Sequence, residues 1–237
     1  MILIALGILT GLLVSSTGIG GGSLLTPLLI LVGVPLQVVI GTDLVAASGT
    51  KLVATIRHSQ ARQVDWRTVA RLASGSLPAA LIAGLLPVDG SSLRRFLAVA
   101  LILTAIAQIW QPKSSAPRFV TALPLPLVGV LVGAMVGITS VGSGALTALY
   151  LRWAQPQLPL ARLAGTDVVH GLFLTGVAAM AHASRAAVDW RIALLVLCGS
   201  VPAAWIGASL VSRLGQKASR SLLGGVLFVS GCLLLLR

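Results

Sequence analysis

Gly41-Thr42-Asp43-Leu44 stands near the start of one apolar stretch, and Gly165-Thr166-Asp167-Val168 occupies the same place in another, 124 residues later. The matching motifs keep this one offset, without a gap, over most of a half, which indicates duplication rather than chance. We therefore predict two membrane repeats, residues 1–112 and 124–237, joined by a linker at 113–123 and forming one domain. The same offset relates further matches: Pro35-Leu36 and Pro159-Leu160, His58 and His182, Val64-Asp65-Trp66-Arg67 and Val188-Asp189-Trp190-Arg191, Gly75-Ser76 and Gly199-Ser200, Pro78-Ala79-Ala80 and Pro202-Ala203-Ala204.

The composition places these repeats in a lipid bilayer. Hydrophobic residues make up 57% of the chain and charged residues 9%, with a mean hydropathy of +1.01, whereas soluble domains carry roughly 25% charged residues. We predict an all-α, multi-pass integral membrane protein. Residues 1–14 lack a basic region and a small-residue cleavage motif, so we expect a membrane segment there rather than a signal peptide. The apolar runs lie at 1–33, 36–56, 68–88, 93–111, 124–152, 160–181, 191–211 and 219–236.

The basic residues indicate how the repeats are arranged. The 17 Lys and Arg residues are spread over short loops, so they are expected to set topology and to contact lipid headgroups, and no nucleic-acid partner is expected. Inverted repeats place eleven of them on one side and five on the other, whereas parallel repeats give nine and seven. The positive-inside rule therefore favours inverted repeats, with both termini outside the cytoplasm.

The first and fifth spans are too long for one simple crossing, and each contains a Gly-rich interruption, at 18–23 and at 137–144. Each is predicted to be a broken helix or a re-entrant pair of half-helices. Successive glycines let backbone N–H groups face a ligand, and the half-helix that follows presents the positive end of its dipole. An anion near the midplane is the expected ligand; the alternative is that these glycines only allow close helix packing. The candidate binding residues are Thr17, Gly18, Gly20, Gly21, Gly22, Ser23, Gly142, Ser143 and Gly144.

Asp43 and Asp167 occupy matched positions inside apolar spans. A carboxyl group at membrane depth is costly and is by default a functional residue, so each is a candidate for proton exchange. The alternative is that each caps a helix at headgroup level. Lys51 lies two turns beyond Asp43 and either neutralises it or faces the anion path, and its counterpart is Thr175. His170 has no matching histidine in the first half, and we expect it to be a core histidine with its hydrogen bonds satisfied.

Together these motifs resemble the TauE/SafE sulfite exporter family, also called the TSUP family, over nearly the whole chain. The resemblance implies a prokaryotic inner-membrane transporter of about eight spans in two homologous halves. It implies a small anionic substrate, namely sulfite or a related sulfonate or organic anion. It also implies that the two Gly-rich segments form anion-facing turns, with Thr42, Asp43, Thr166 and Asp167 beside them. The second segment departs from the first, because Ser143, Ala145 and Leu146 replace Ile19, Gly21 and Gly22.

These observations predict a secondary transporter that exports a small anion. We expect the export to be coupled to protons or driven by the membrane potential. The alternative is a carrier for a cation or another organic acid that uses Asp43 and Asp167, although the chain has only five acidic residues. An enzyme is not expected, because the sequence contains no Glu and no metalloprotease or hydrolase motif. We expect no cofactor and no metal, the lipid bilayer as a partner, and a chain that is compatible with a homo-oligomer.

Overall fold

The computed structural model describes residues 1–17, 24–109, 123–210 and 216–236. Those residues form ten α-helices and no strand. The helices are α1 (Ile2–Thr17), α2 (Leu25–Leu31), α3 (Leu36–Gln60), α4 (Trp66–Leu85), α5 (Gly90–Ile109), α6 (Leu125–Thr139), α7 (Ala145–Ala154), α8 (Leu160–Ser184), α9 (Trp190–Leu210) and α10 (Gln216–Leu236).

The helix boundaries repeat along with the sequence. α3 and α8 each contain 25 residues and each follow a proline, Pro35 or Pro159. α4 and α9 each begin at a tryptophan, and the carboxylates of Asp65 and Asp189 accept main-chain N–H groups of the first turn. Such caps satisfy N–H groups that have no partner within the helix. Equal local sequences have therefore produced equal helix starts.

The helices have the length and the outer surface of a membrane protein. α3, α4, α5 and α8 are long and apolar enough to cross a bilayer. A 20-residue helix such as α4 spans about 30 Å, the thickness of the hydrocarbon core. Large apolar side chains, among them Phe96, Leu131 and Trp205, are exposed on the outside of the protein. The all-helical architecture expected from the sequence is confirmed, and its apolar helices are compatible with a membrane protein.

Close helix contacts join the two halves of the chain. α1 packs along α9, and α4 packs along α6. A methyl group at Gly11 of α1 would overlap the carbonyl oxygen of Ser200, and one at Gly133 of α6 would overlap the carbonyl oxygen of Ser76. Glycine is therefore required where these backbones touch, as in other close helix pairs in membranes.

α3 and α8 meet each other, and together they contact α4 and α9. Ser48 donates a hydrogen bond of 3.0 Å to the Thr175 hydroxyl, while Gly41, near the start of α3, lies against His182, near the end of α8. The two helices therefore run antiparallel. Since each is the counterpart of the other in the repeat, their contact relates equivalent positions of the two halves.

The second helix interruption is shorter than the sequence predicted. α6 continues through Gly137 to Thr139, so the break covers 140–144 instead of starting at Gly137. Gly137 acts in packing, because a Cβ atom there would lie 2.6 Å from the carbonyl oxygen of Ala80. The first predicted interruption, 18–23, and nearly all of the predicted linker lie outside the described residues.

Candidate functional site

The loop at 140–144 joins α6 to α7 through an unusual backbone conformation. Ser140 has a φ of 61° and Gly142 a φ of 100°, both in the left-handed region that non-glycine residues seldom adopt. Residues 141–145 are all buried. The loop therefore brings the amino end of α7, with its partial positive charge, into the interior of the protein.

Lys51 extends from α3 to this loop. Its side chain is only 5% exposed, and Nζ donates a hydrogen bond of 2.8 Å to the Ser143 Oγ. Gly171 of α8 lies alongside, where a Cβ atom would come 2.9 Å from Nζ. The absence of a side chain at Gly171 thus leaves room for the ammonium group. A buried cation and the amino end of a helix meet at Ser143.

Asp43 binds the other end of the same loop, at Ser140. Its carboxylate is 1% exposed, and Oδ2 accepts a hydrogen bond of 2.6 Å from the Ser140 Oγ and another from Thr26 of α2. The hydroxyls of Thr26 and Ser140 are also 2.7 Å apart. Oδ1 of Asp43 has no hydrogen-bond partner among the described residues. One carboxylate oxygen is therefore held by two hydroxyl groups, while the other has no such partner in the described structure.

Asp167 of α8 is the second buried carboxylate, at 3% exposure, and its Oδ1 also lacks a partner among the described residues. The charge of Lys51 acts on both Asp167 and Asp43. Neither carboxylate forms a direct ion pair with Lys51 in the described part of the chain. Both aspartates lie two turns inside their helices, so the alternative that they cap helix ends is wrong.

His170 of α8 is fully buried but only half satisfied. Its Nε2 lies 2.8 Å from the Ser76 Oγ, whereas Nδ1 has no partner in the described structure. The expectation of a core histidine is correct for its burial and wrong for its hydrogen bonding. Gly171, the next residue of α8, lies against the Lys51 ammonium group, so His170 belongs to the same cluster.

Two buried threonines near the loop were not predicted. Thr147 is in the first turn of α7, and Thr104 of α5 lies 3.3 Å from the position of a Cβ atom at Gly142. Both are fully buried, and neither hydroxyl has a hydrogen-bond partner in the described part of the chain. Threonines in membrane helices usually bond their own backbone, so nothing in the sequence singles these two out.

Thr42 and Thr166 have reciprocal contacts between the halves. The Thr42 Oγ1 donates to the Val38 carbonyl and accepts the Asp189 N–H at 2.9 Å. The Thr166 Oγ1 donates to its own helix in the same way and accepts the Asp65 N–H at 2.9 Å. Each hydroxyl thus ties the start of one central helix to the turn that follows the other.

The predicted site residues therefore fall into three groups. Asp43, Lys51, Asp167, Gly142, Ser143 and Gly144 lie around the loop at 140–144. Thr42 and Thr166 form the contacts between the halves described above. Gly18, Gly20, Gly21, Gly22, Ser23 and the side chain of Thr17 lie outside the described residues. Among the residues described, no three His, Cys, Asp or Glu side chains are grouped so as to hold a metal ion.

Comparison with known proteins places this chain in a family. The profile of a family described as Sulfite exporter TauE/SafE matches residues 3–234. A Bacillus subtilis (strain 168) protein named Probable membrane transporter protein YjnA is 32% identical over 247 aligned positions, which cover 97% of each chain. A Methanocaldococcus jannaschii protein named Probable membrane transporter protein MJ0441 is 24% identical, and the match covers 99% of this chain and 95% of that relative. No solved structure matches the chain significantly.

Proposed function

The chain belongs to the sulfite exporter TauE/SafE family of membrane transporters, and from this we propose that it exports a small oxyanion, sulfite or a related sulfonate or organic anion. The protein then works as a multi-pass secondary transporter in a prokaryotic inner membrane. The names of both relatives are those of membrane transporters and not of enzymes.

The hydrogen bond from Lys51 to Ser143 is the observation that carries the proposal. A buried ammonium group is costly unless an anion or several acceptors accompany it. Among the described residues it has one hydroxyl acceptor, and it stands at the amino end of α7, where main-chain N–H groups favour negative charge. A small oxyanion at this point would accept hydrogen bonds from the loop and offset the charge of Lys51. The Gly-rich segment at 18–23 enters the proposal as a further lining of the anion path.

The carboxylates of Asp43 and Asp167 link anion binding to proton binding. With all groups ionised, Lys51 and the two aspartates carry one net negative charge, which would repel an anion. At least one carboxyl therefore holds a proton while the anion is bound. Divalent sulfite that leaves with one proton carries one net negative charge, so an interior-negative potential of 100 mV favours export by about 2.3 kcal/mol. Thr42 and Thr166, whose hydroxyls are already engaged, position the helices that carry these aspartates.

We further propose that the halves are inverted repeats. The antiparallel contact of α3 with α8 supports this arrangement, because parallel repeats would give equivalent helices the same direction. A second pair of counterparts, α5 and α10, is also antiparallel. Gly224 lies against Ile109, whereas Gly231, further along α10, lies against Ile102, which is earlier in α5. Inverted repeats place the substrate site between two units that can rock against each other, which suits alternating access.

A carrier that uses Asp43 and Asp167 to bind a cation is the competing function. The fixed charge of Lys51 near both carboxylates disfavours it, since the ammonium group would repel a metal ion. Flux of a cation without any anion flux would nevertheless establish this function.

Counterflow of radiolabelled sulfite into proteoliposomes tests the proposal. We expect flux with the wild-type protein and its loss in Lys51→Met, which keeps an unbranched side chain one atom shorter and removes the charge. Arg94→Met removes a cation from an exposed position on α5 and serves as the matched control, with flux retained. Equal flux in all three proteins would contradict the assigned role of Lys51. Flux of another oxyanion, but not of sulfite, would change the substrate and keep the site.

A further inference from the structure

The positions at which the two halves differ in chemistry converge on one place in the structure. Four residues of the cluster have counterparts that cannot replace them: Lys51 corresponds to Thr175, Ser143 to Ile19, His170 to Ala46 and Gly171 to Ala47. We propose that the chain holds a single anion site, built asymmetrically around the loop at 140–144, and no equivalent site in the first half. This inference rests on the proposed anion transport and specifies where that anion binds.

The contact between Lys51 and Ser143 is the first asymmetric element. Lys51 reaches from the first half to Ser143 of the second half. The counterpart of Lys51 is Thr175, which is neutral and whose hydroxyl bonds Gly171 and Ser48. Lys51 is the only buried lysine or arginine among the side chains that the structure describes. A second site related by the repeat would lack both the ammonium group and the hydroxyl that it contacts.

The space for the ammonium group is the second asymmetric element. Gly171 lies so close to Lys51 that a Cβ atom would stand 2.9 Å from Nζ. The repeat pairs Gly171 with Ala47 and Lys51 with Thr175, so the equivalent contact in a second site would join Ala47 to Thr175. Ala47 has a Cβ atom, which would displace the end of a lysine side chain from this position. The glycine is therefore matched to the lysine, and this match occurs on one side of the repeat only.

Unpartnered polar groups mark where the ligand would sit. The hydroxyls of Thr104 and Thr147 are fully buried, flank the loop that leads into α7, and bond no other described residue. A buried hydroxyl without a partner is unfavourable, and an oxyanion at the amino end of α7 would accept from both. Thr104 lies beside Gly142, Thr147 lies in the first turn of α7, and Lys51 contacts Ser143, so all three groups lie at the loop where we place the oxyanion.

His170 adds a hydrogen-bonding group that we expect to contribute to selectivity among oxyanions. Ser76 bonds its Nε2, and its Nδ1 has no partner in the described structure. His170 follows Asp167 by nearly one turn of α8, and the charge of Lys51 acts on both. In the single site we assign Nδ1 to a hydrogen bond with an oxygen of the anion. The first half has Ala46 at this position and can make no such bond.

Equilibrium binding of radiolabelled sulfite to the purified full-length protein in detergent tests the single site. We expect one sulfite per chain at saturation. Gly171→Ala should weaken binding about tenfold or more, because its Cβ atom displaces the ammonium group. Ala47→Ser is the matched control, since it also adds one heavy atom, at the equivalent position of the first half, and it should leave affinity unchanged.

The fold of the Gly171→Ala variant is checked separately. The end of the Lys51 side chain can move aside, and no other residue stands as close to the added Cβ atom. The variant should therefore fold, and a wild-type elution profile and thermal midpoint would confirm this. A loss of sulfite affinity without a loss of stability then belongs to the site.

A second pair of variants tests His170. His170→Gln keeps an amide near the Nε2 position that faces Ser76 but removes Nδ1, whereas His170→Asn keeps a group near Nδ1. We expect His170→Asn to retain more sulfite affinity and His170→Gln to lose the preference for sulfite over other oxyanions. A purely structural role predicts the reverse order, because only Gln would preserve the contact with Ser76.

The outcomes separate the site from the function. Two sulfite ions per chain, or equal losses in Gly171→Ala and Ala47→Ser, would overturn the single site and leave anion transport intact. If the wild-type protein bound neither sulfite nor any other oxyanion tested, the proposed function would fail and the single site with it. One ion per chain, lost selectively in Gly171→Ala, would support both.

Discussion

Ser140, in the second half of the chain, donates a hydrogen bond of 2.6 Å to the carboxylate of Asp43, in the first half. Ser140 ends α6 in a left-handed conformation, and the loop that it begins contains Ser143, the acceptor for Lys51. The carboxylate and the ammonium group of α3 thus bind opposite ends of one short loop. A change in the protonation of Asp43 can therefore alter the candidate anion site through the backbone of this loop.

Asp43→Asn should flatten the pH dependence of sulfite flux. The amide has the shape of the carboxyl group and can still accept from Thr26, but it does not titrate. Flux in proteoliposomes, measured across a range of pH, checks the prediction. Asp65→Asn is the matched control, since it replaces an acidic residue at the start of α4 with another good N-cap residue. An unaltered pH profile in Asp43→Asn would remove the proton from the proposed cycle at this residue.

Gly133→Ala should lower stability by about 1–3 kcal/mol, the cost of forcing extra atoms into a close-packed contact. The new methyl group would overlap the carbonyl oxygen of Ser76, which is backbone and cannot move aside. Thermal unfolding in detergent measures the effect. Gly176→Ala is the control because no atom lies within 4 Å of its added Cβ, and it should stabilise α8 by about 0.5–1 kcal/mol through helix propensity. Equal melting temperatures of Gly133→Ala and Gly176→Ala would contradict the close contact between Gly133 and Ser76.

Thr42→Val and Thr166→Val should each cost about 1–3 kcal/mol of stability, because each leaves a partly buried main-chain N–H, of Asp189 or Asp65, without its acceptor. Valine keeps the shape of threonine, so the loss isolates the hydrogen bond. Thr→Ser variants at the same positions retain the hydroxyl and should stay near wild type. If instead the valine variants kept full stability and lost sulfite affinity, these hydroxyls would be substrate ligands rather than positioning groups.

The pKa of Asp89, at the start of α5, is lowered chiefly by its hydrogen bond with the Ser91 hydroxyl, at 2.5 Å, and by the Ser92 N–H. A carboxyl group with a lowered pKa stabilises the fold above its ordinary pKa, and this contribution is lost as the pH falls through the folded-state value. Asp89→Ala should therefore melt below the wild-type protein at neutral pH, with a difference that shrinks in acid. A difference independent of pH would argue against the charged cap.

The proposed inversion predicts that equivalent loops face opposite sides of the membrane. Arg62→Cys and Ala186→Cys place a thiol on the turns after α3 and α8, at exposed positions with the same φ of 53°. In a background with Cys198 and Cys232 replaced by alanine, a membrane-impermeant maleimide should label Ala186→Cys in intact cells and Arg62→Cys only after permeabilisation. Labelling of both thiols from one side would establish parallel repeats.

Much of the architecture follows from sequence because its causes are local. A proline before α3 and α8, and an aspartate before α4 and α9, act within one turn of the helix start, so the repeat transfers directly into helix boundaries. Gly137 was misassigned because a glycine that allows close packing and a glycine that breaks a helix look alike in one dimension.

The sequence by itself determined the membrane class, the doubled helix order and the list of costly polar residues, because hydropathy and repeated motifs are properties of the chain alone. It could not choose between caps and buried carboxylates for Asp43 and Asp167, nor between the two roles of Lys51. Tertiary structure decided the first, since the burial of the two carboxylates and their partners depends on residues far away in the chain, such as Ser140. It also brings Lys51 to Ser143, the contact on which the proposed role of Lys51 rests. The chain supplies the charged groups, and the packing of the two halves determines which of them meet.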